Sequence, residues 1–413
     1  MLSTLKKLGP GLLFAGAAIG VSHLVQSTRA GADFGFGLLW ALLLVNLFKY
    51  PFFQFGPRYA MATGESLVDG YNKLGKPILI AFFLLTFASM FTIQTAVTIV
   101  TASLASNLFF TFDPISLGSI SLDSVQLWTV ILLGICASIL LIGRYKLLDG
   151  LMKIIIITLT ISTIIALIAS ATTTKSPVSF QQIFPKEASW AFLIAFMGWM
   201  PAPLDISVWH SLWSIEKTKG PQRFEKKTSL FDFNIGYVAT IILGIGFLSL
   251  GALIMFNTGQ SLSTNASQFA GQLISMYTSS LGSWAYLIIG IAAFTTMFST
   301  TLTTLDGSPR VMDKTTDLLL EQKSIKSYKP WLFALVAGCI LIFFLFSSEL
   351  GQLVKIATIL SFLTAPFYAI LNYKLMRSKN VPTEWKLSKA MHILSWTGIL
   401  FLIGFSIWYL SIL

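Results

Sequence analysis

The chain predicts an all-α, polytopic membrane protein organised around two broken helices. Three observations carry that prediction. Its 413 residues are 55% hydrophobic and 11% charged, against roughly a quarter charged in soluble domains. Apolar windows of about 20 residues, the length that crosses a bilayer, recur along the chain with only short connections. Two of these windows are interrupted at matching places: Gly11 to His23 contains Gly11, Gly16 and Gly20, and Ala191 to Asp205 contains Gly198, Pro201 and Pro203. Lipid cannot hydrogen-bond an unwound backbone, so such breaks persist at membrane depth only where protein or a wet cavity takes over.

Taken in order, the windows fall near 10–30, 36–57, 78–108, 125–143, 150–171, 188–213, 232–257, 283–304, 329–347, 351–373 and 392–413. That makes eleven spans in one transmembrane domain, with no stretch left for a soluble one. The odd count puts the termini on opposite faces. The outer Lys175–Lys186 loop divides the chain into halves 1–175 and 176–373, with 392–413 as an additional helix. Each half opens on a broken span, and five spans in the first half force the second to enter from the other face. Span parity and break position therefore predict an inverted repeat, with a solute site between spans one and six at the bilayer midplane.

The net charge of +11 would suit a nucleic-acid binder if it formed a patch, but it is distributed by side. With the N-terminus inside, the cytoplasmic segments hold 23 of the 28 Lys and Arg. They are Lys6, Lys7, Arg58, Lys73, Lys76, Arg144, Lys146 and Lys153, then Lys217 to Lys227, Arg310 to Lys329, and Lys374 to Lys389. Arg29, Lys175 and Lys186 lie outside, Lys49 and Lys355 fall within spans, and the outer 256–283 loop carries no charge. This asymmetry is the positive-inside pattern. It predicts an inner (plasma) membrane protein with a cytoplasmic N-terminus and an external C-terminus, interacting with anionic lipid rather than nucleic acid. Lys6-Lys7, the apolar run and Ala15-Gly16-Ala17 imitate a cleavable signal peptide, but ten further spans argue against removal. Cys136 and Cys339 lie in spans and imply neither a disulfide nor a metal motif.

Several blocks resemble the NRAMP family of divalent-metal transporters: Gly31-Ala32-Asp33-Phe34-Gly35-Phe36-Gly37-Leu38-Leu39-Trp40 with Asn46, Arg58 with Ala62-Thr63-Gly64, Asp306-Gly307, and Val311-Met312. The resemblance covers most of the chain and implies a LeuT-type fold, two inverted five-helix repeats with discontinuous first and sixth helices. The family's metal site does not carry over. Gly20-Val21-Ser22-His23 stands where the family has Asp-Pro-Gly-Asn, so Gly20 replaces the coordinating Asp and His23 the coordinating Asn. Ala202-Pro203-Leu204 stands where the family has Met-Pro-His, which puts Ala202 in place of the thioether, and Thr364 falls at a polar Gln of helix ten. The acidic residues of helix three are missing; around Gln94 that helix reads Thr-Ile-Gln-Thr-Ala-Val-Thr, which argues against the family's proton route.

A thioether selects softer transition metals, and burying a dication without a carboxylate is costly. Three arrangements stay open: the ion keeps several waters, as magnesium prefers; Asp205 supplies the missing charge; or the cargo is not a dication. The substrate-site candidates are therefore Gly20, Val21, Ser22, His23, Ala202, Asp205 and Thr364, with His23 and Asp205 as metal ligands. His23, as an ionisable group at the break, suits cargo or proton contact, or a plain bond to a span-six carbonyl. Asp205 reads equally as cargo ligand and as a helix-start acid behind Pro203. Gln26, Arg29, Lys49, Gln94 and His210 are candidates for gating or proton relay. Against them stand helix–helix hydrogen bonding for Gln26, a surface pair with Asp33 for Arg29, and an interfacial position for His210. Lys49 is expensive at its depth unless partnered. The Thr295–Thr304 run reads as inter-helix hydrogen bonding or a hydroxyl-lined cation site. An intramembrane enzyme would need a His-Glu-x-x-His or nucleophile–base motif, and His23, His210 and His392 belong to none. The expectation is an NRAMP-like carrier of divalent cations by alternating access, with no cofactor and no obligate protein partner. The rival is a carrier of the same fold for a non-metal solute or anion.

Overall fold

The computed structural model describes residues 8–117, 120–173, 179–184, 186, 189–219, 226–256, 262–263, 266–321, 326–345 and 350–411. Lys6, Lys7, Lys175 and the central part of the 217–227 basic segment lie outside the described residues, as do the side chains of Arg144 and Lys146.

Span one is α1 (Pro10–Ala18) followed by α2 (Ser22–Phe34), the pair bent by 48°. The first six residues of α2 are wound as a π-helix. Span two is α3 (Leu39–Thr63), ended by Gly64 in the left-handed conformation, φ 73°. A short helix, α4 (Leu67–Leu74), starts on a capping box between Ser66 and Asp69 and leads into α5 (Lys76–Leu108). Strands β1 (Ile115–Leu117) and β2 (Ile120–Leu122) pair antiparallel, Ser116 opposite Ser121. Then follow α6 (Ser124–Thr173), α7 (Trp190–Trp199), α8 (Ile206–Thr218), α9 (Lys226–Ile254), α10 (Ala266–Leu281), α11 (Ala285–Leu319), α12 (Tyr328–Leu345), α13 (Leu350–Met376) and α14 (Lys389–Ser411). Eight described helical stretches are long and apolar enough to cross a membrane, two of them within α6 at Ser124–Gly143 and Leu147–Thr172. The bent α1–α2 pair makes a ninth. The windows expected at 36–57 and 188–213 are occupied by α3, diluted by Asn46, Lys49 and Gln54, and by the α7–α8 pair, split in the middle.

Two features add detail to the all-α chain and its uncharged 256–283 loop. The first is the β1–β2 hairpin. The second is α10, whose 16 residues are too short to span. Phe269, Ala270, Leu273 and Ile274 recur on one face and are buried, while Gln268 and Gln272 supply polar positions between them, so the uncharged segment packs as an amphipathic helix.

Span one is clamped to α9 at two close backbone crossings. A Cβ on Gly11 would strike the main chain at Asp232, and one on Gly236 would strike Gly11. The same holds for Gly31 against Leu248 and for Gly251 against Thr28. Small residues let transmembrane helices approach this closely. Asp232 also accepts the N–H groups of Gly9 at 2.9 Å and Gly11 at 2.7 Å, which satisfies two donors at the start of α1 that have no intrahelical partner. Beneath the first break Phe14 packs on Phe53, Phe233 and Tyr237, with ring centroids 5.1 to 5.9 Å apart.

Candidate functional site

The break in span one is made by residues that α11 holds in place. Helix α1 stops at Ala18, and Ile19 turns away with φ −80° and ψ 84°. The Thr300 hydroxyl lies within donating distance of Ile19 O, 3.0 Å, and Gly16 O, 3.1 Å, and Ser299 Oγ reaches Gly16 O at 3.1 Å. These hydroxyls serve carbonyls at the end of the helix, so the chain can leave it without stranding acceptors. Gly20 follows because a Cβ there would collide with the Thr300 side chain.

The break in span six runs from Met200 to Asp205 between α7 and α8. Pro201 and Pro203 lack the N–H a continuous helix would donate. The two breaks touch where Ser22 Oγ lies 3.2 Å from Pro201 O and 2.9 Å from Ala18 O. Lys49, 0% exposed, reaches the same place from α3. Its ammonium donates to the carbonyls of Gly198 (2.7 Å), Met197 (2.9 Å), Met200 (3.1 Å) and Ala202 (3.3 Å). Sequence alone identified a costly Lys without naming its partners; they are main-chain oxygens at the end of α7.

Between the breaks lies a cavity of about 30 Å³ lined by Gly20, Val21 and Ser22, by Asp205 and by Thr300 and Thr304. Ala17, Ala18, Ile93, Val97, Trp199 and Trp209 make its apolar walls. Asp205 is 8% exposed. It stands at the start of α8 but makes no capping bond, and its Oδ1 has no hydrogen-bond partner. A buried carboxylate oxygen without a donor is costly; the main-chain N–H groups of Asp205 and Ile206 are the nearby donors that act on the carboxylate, and the residue lines the cavity.

Of the expected site residues, Gly20, Val21, Ser22 and Asp205 therefore converge, and His23, Ala202 and Thr364 do not line the cavity. His23 lies against α9 instead of a span-six carbonyl: Nε2–H donates to Thr240 O at 2.9 Å, and Nδ1 faces Ser22 Oγ at 2.7 Å. A neutral ring accepts the Ser22 proton at Nδ1; an imidazolium donates there and leaves the Ser22 hydroxyl for Ala18 O or Pro201 O. Ala202 contributes its carbonyl to Lys49. Thr364 bonds Leu360 O of its own helix at 2.9 Å.

The expected relay residues are dispersed. Gln94 accepts from Thr304 Oγ1 at 2.7 Å and donates to Thr301 O at 3.2 Å, joining α5 to α11 beside the cavity. Gln26 is buried with Oε1 unpartnered. Arg29 donates to Ser263 O and lies over the Phe269 ring, 5.4 Å to its centroid; it ties the outer end of α2 to α10, with Asp33 as its electrostatic partner. His210 is 1% exposed, stacked on Phe14 at 5.6 Å with Nδ1 unpartnered. Thr300 and Thr304 were not singled out from the sequence. Their signal was the hydroxyl-rich Thr295–Thr304 run, which here bonds helices together and also faces the cavity.

Among the described residues no group of three or more His, Cys, Asp or Glu could hold a metal ion. The comparisons with known proteins are nevertheless consistent with one another. The model of the natural resistance-associated macrophage protein-like (Nramp) family matches residues 11–411. The chain belongs to the Nramp family. An uncharacterized protein of Pasteurella multocida is 36% identical over 412 residues, 98% of this chain and 92% of the relative. Metal transporter Nramp1 of Oryza sativa is 22% identical, covering 98% and 78%. Among solved structures, the Eremococcus coleocola manganese transporter in complex with an aromatic bis-isothiourea compound superposes with a TM-score of 0.71 at 14% identity, covering 98% of this chain and 85% of that one. MhsT in complex with L-phenylalanine superposes at 0.63 with 15% identity, covering 96% and 98%. This Nramp chain thus has the LeuT-type fold and is a multi-pass membrane carrier.

Proposed function

We propose that this Nramp protein moves divalent metal cations by alternating access, holding the ion, partly hydrated, between the two broken spans. The observation that carries the reading is Asp205, a buried carboxylate that lines a cavity together with Ser22, Thr300 and Thr304 and whose Oδ1 has no hydrogen-bond partner. One carboxylate with hydroxyl oxygens is a hard donor set, suited to magnesium, calcium or manganese rather than to softer ions. It is too small to strip a dication. A cavity of about 30 Å³ has room for roughly two waters, which complete the coordination of an ion that dehydrates reluctantly. The family membership, and relatives named as metal transporters, support the same class of cargo.

In this reading halves 1–175 and 176–373 are the inverted repeat and 392–413 is an accessory helix. In the same reading the protein sits in the plasma membrane, and the Lys and Arg distribution supports a cytoplasmic N-terminus and an external C-terminus. Span three, Lys76–Leu108, carries no Asp or Glu, which argues against proton coupling by the family's route. A second reading, a non-metal solute, is favoured by the apolar cavity walls and by the Lys49 charge that offsets Asp205. Asp205 at the start of α8 opposes an anion.

Purified protein in liposomes decides. Uptake of manganese or magnesium into vesicles holding a metal-responsive dye supports the proposal. Absence of divalent flux, with saturable binding of an organic solute, supports the second reading.

A further inference from the structure

The most unusual group in the membrane interior is the Lys49 ammonium. It is fully enclosed, at mid-length in α3, and surrounded by four carbonyl oxygens at 2.7 to 3.3 Å. An ammonium has three protons, so four acceptors around it are a coordination shell rather than a set of one-to-one bonds. The shell is assembled by the break itself. Three of its oxygens belong to the last turn and C-cap of α7, where helix carbonyls lack intrahelical partners and the helix dipole is negative, and Ala202 closes it from the unwound segment. Asp205 is the charged neighbour that attracts Lys49. The oxygen distances exceed the 2.0–2.1 Å of magnesium and the 2.3–2.6 Å of calcium, and suit a large monovalent cation.

We propose that the break in span six is a monovalent-cation site whose occupant is the chain's own Lys49 ammonium, so that this carrier keeps a tethered cation where a free potassium or ammonium ion would otherwise bind. Two consequences follow. The carbonyls of Met197, Gly198, Met200 and Ala202 are unavailable to cargo, which leaves Asp205 as the span-six ligand. And the geometry of the break is independent of any monovalent ion in the medium.

The test is the melting temperature of purified protein, followed by tryptophan fluorescence, in choline, sodium, potassium or methylammonium chloride at one ionic strength. This readout does not depend on which solute is transported, so it can fail or succeed independently of the metal-carrier reading. Wild type melts at the same temperature in all four salts. Lys49→Ala, which vacates the site, melts lower in choline and recovers at least half of the loss in methylammonium or potassium. Lys49→Met, whose chain refills the space without charge, stays low in every salt. Recovery of monodisperse Lys49→Ala only when membranes are extracted in methylammonium also supports the site. The proposal is overturned if Lys49→Ala is as stable in choline as wild type, or if it aggregates alike in all four salts. Stabilisation of wild type by sodium or potassium as large as that of Lys49→Ala overturns it as well.

Discussion

Replacing Asp205 by Asn tests the cavity with the least disturbance. The amide keeps the shape of the side chain and removes its charge. The group is 8% exposed with Oδ1 unpartnered, and Lys49 loses its charged neighbour but keeps its four carbonyls. At an effective dielectric of about 20, a unit charge 4 Å from another is worth about 4 kcal/mol. Much of that gain is offset by the desolvation of both partners, and removing one member of a buried pair has a measured cost near 3–5 kcal/mol. A loss of about 3 kcal/mol corresponds to roughly a hundredfold weaker Kd. The assay is manganese or magnesium uptake into proteoliposomes over a concentration series, with binding measured by calorimetry on the same preparation. The expected result is a hundredfold weaker affinity together with a lowered melting temperature, because the buried Lys49 loses its charged neighbour. Unchanged affinity and flux in a folded Asp205→Asn protein would refute the assignment of the cargo site.

Three further outcomes are expected. Gly20→Ala pushes a methyl group into the Thr300 side chain; overpacking of that kind costs about 1–3 kcal/mol, seen as a lower melting temperature together with loss of uptake. Asp232→Ala removes the acceptor of the Gly9 and Gly11 N–H groups, a capping loss of about 1 kcal/mol; a cysteine at buried Leu12 should then react faster with a membrane-impermeant maleimide than it does beside intact Asp232. His23→Ala breaks the bond to Thr240 O and frees Ser22, costing about 1–3 kcal/mol of stability; because His23 does not line the cavity, the ranking of cargo ions in a competition assay should not change.

The parts of the molecule that could be read from residue types were those set by backbone chemistry. Gly20 and the Pro201–Pro203 pair announce unwinding because each removes something a helix needs, a Cβ-compatible path in one case and N–H donors in the other. The position of Lys49 announced a buried partner for the same kind of reason, since a bare ammonium at that depth is untenable. The identity of the partner was hidden: main-chain carbonyls 148 to 153 residues away leave no signature in side-chain identity. His23 shows the complementary limit. It lies just past the break, in the first turn of α2, yet a rotamer decides whether the ring meets the cavity or Thr240, and a rotamer is set by packing. The hydroxyls of α11 were visible only as a run, because helical spacing alone does not tell which of Thr295 to Thr304 face span one. Asp205 remained ambiguous until the structure put it in the wall of the cavity with Oδ1 unpartnered.

The most direct measurement is an anomalous-scattering map of the protein in lipid, soaked with manganese. The account predicts one peak in the cavity between the span-one and span-six breaks, adjacent to Asp205 Oδ1 and the Ser22 and Thr300 hydroxyls, with Lys49 still seated on its four carbonyls. A peak confined to the loops, or spans one and six running unbroken past Gly20 and Pro201, would contradict it.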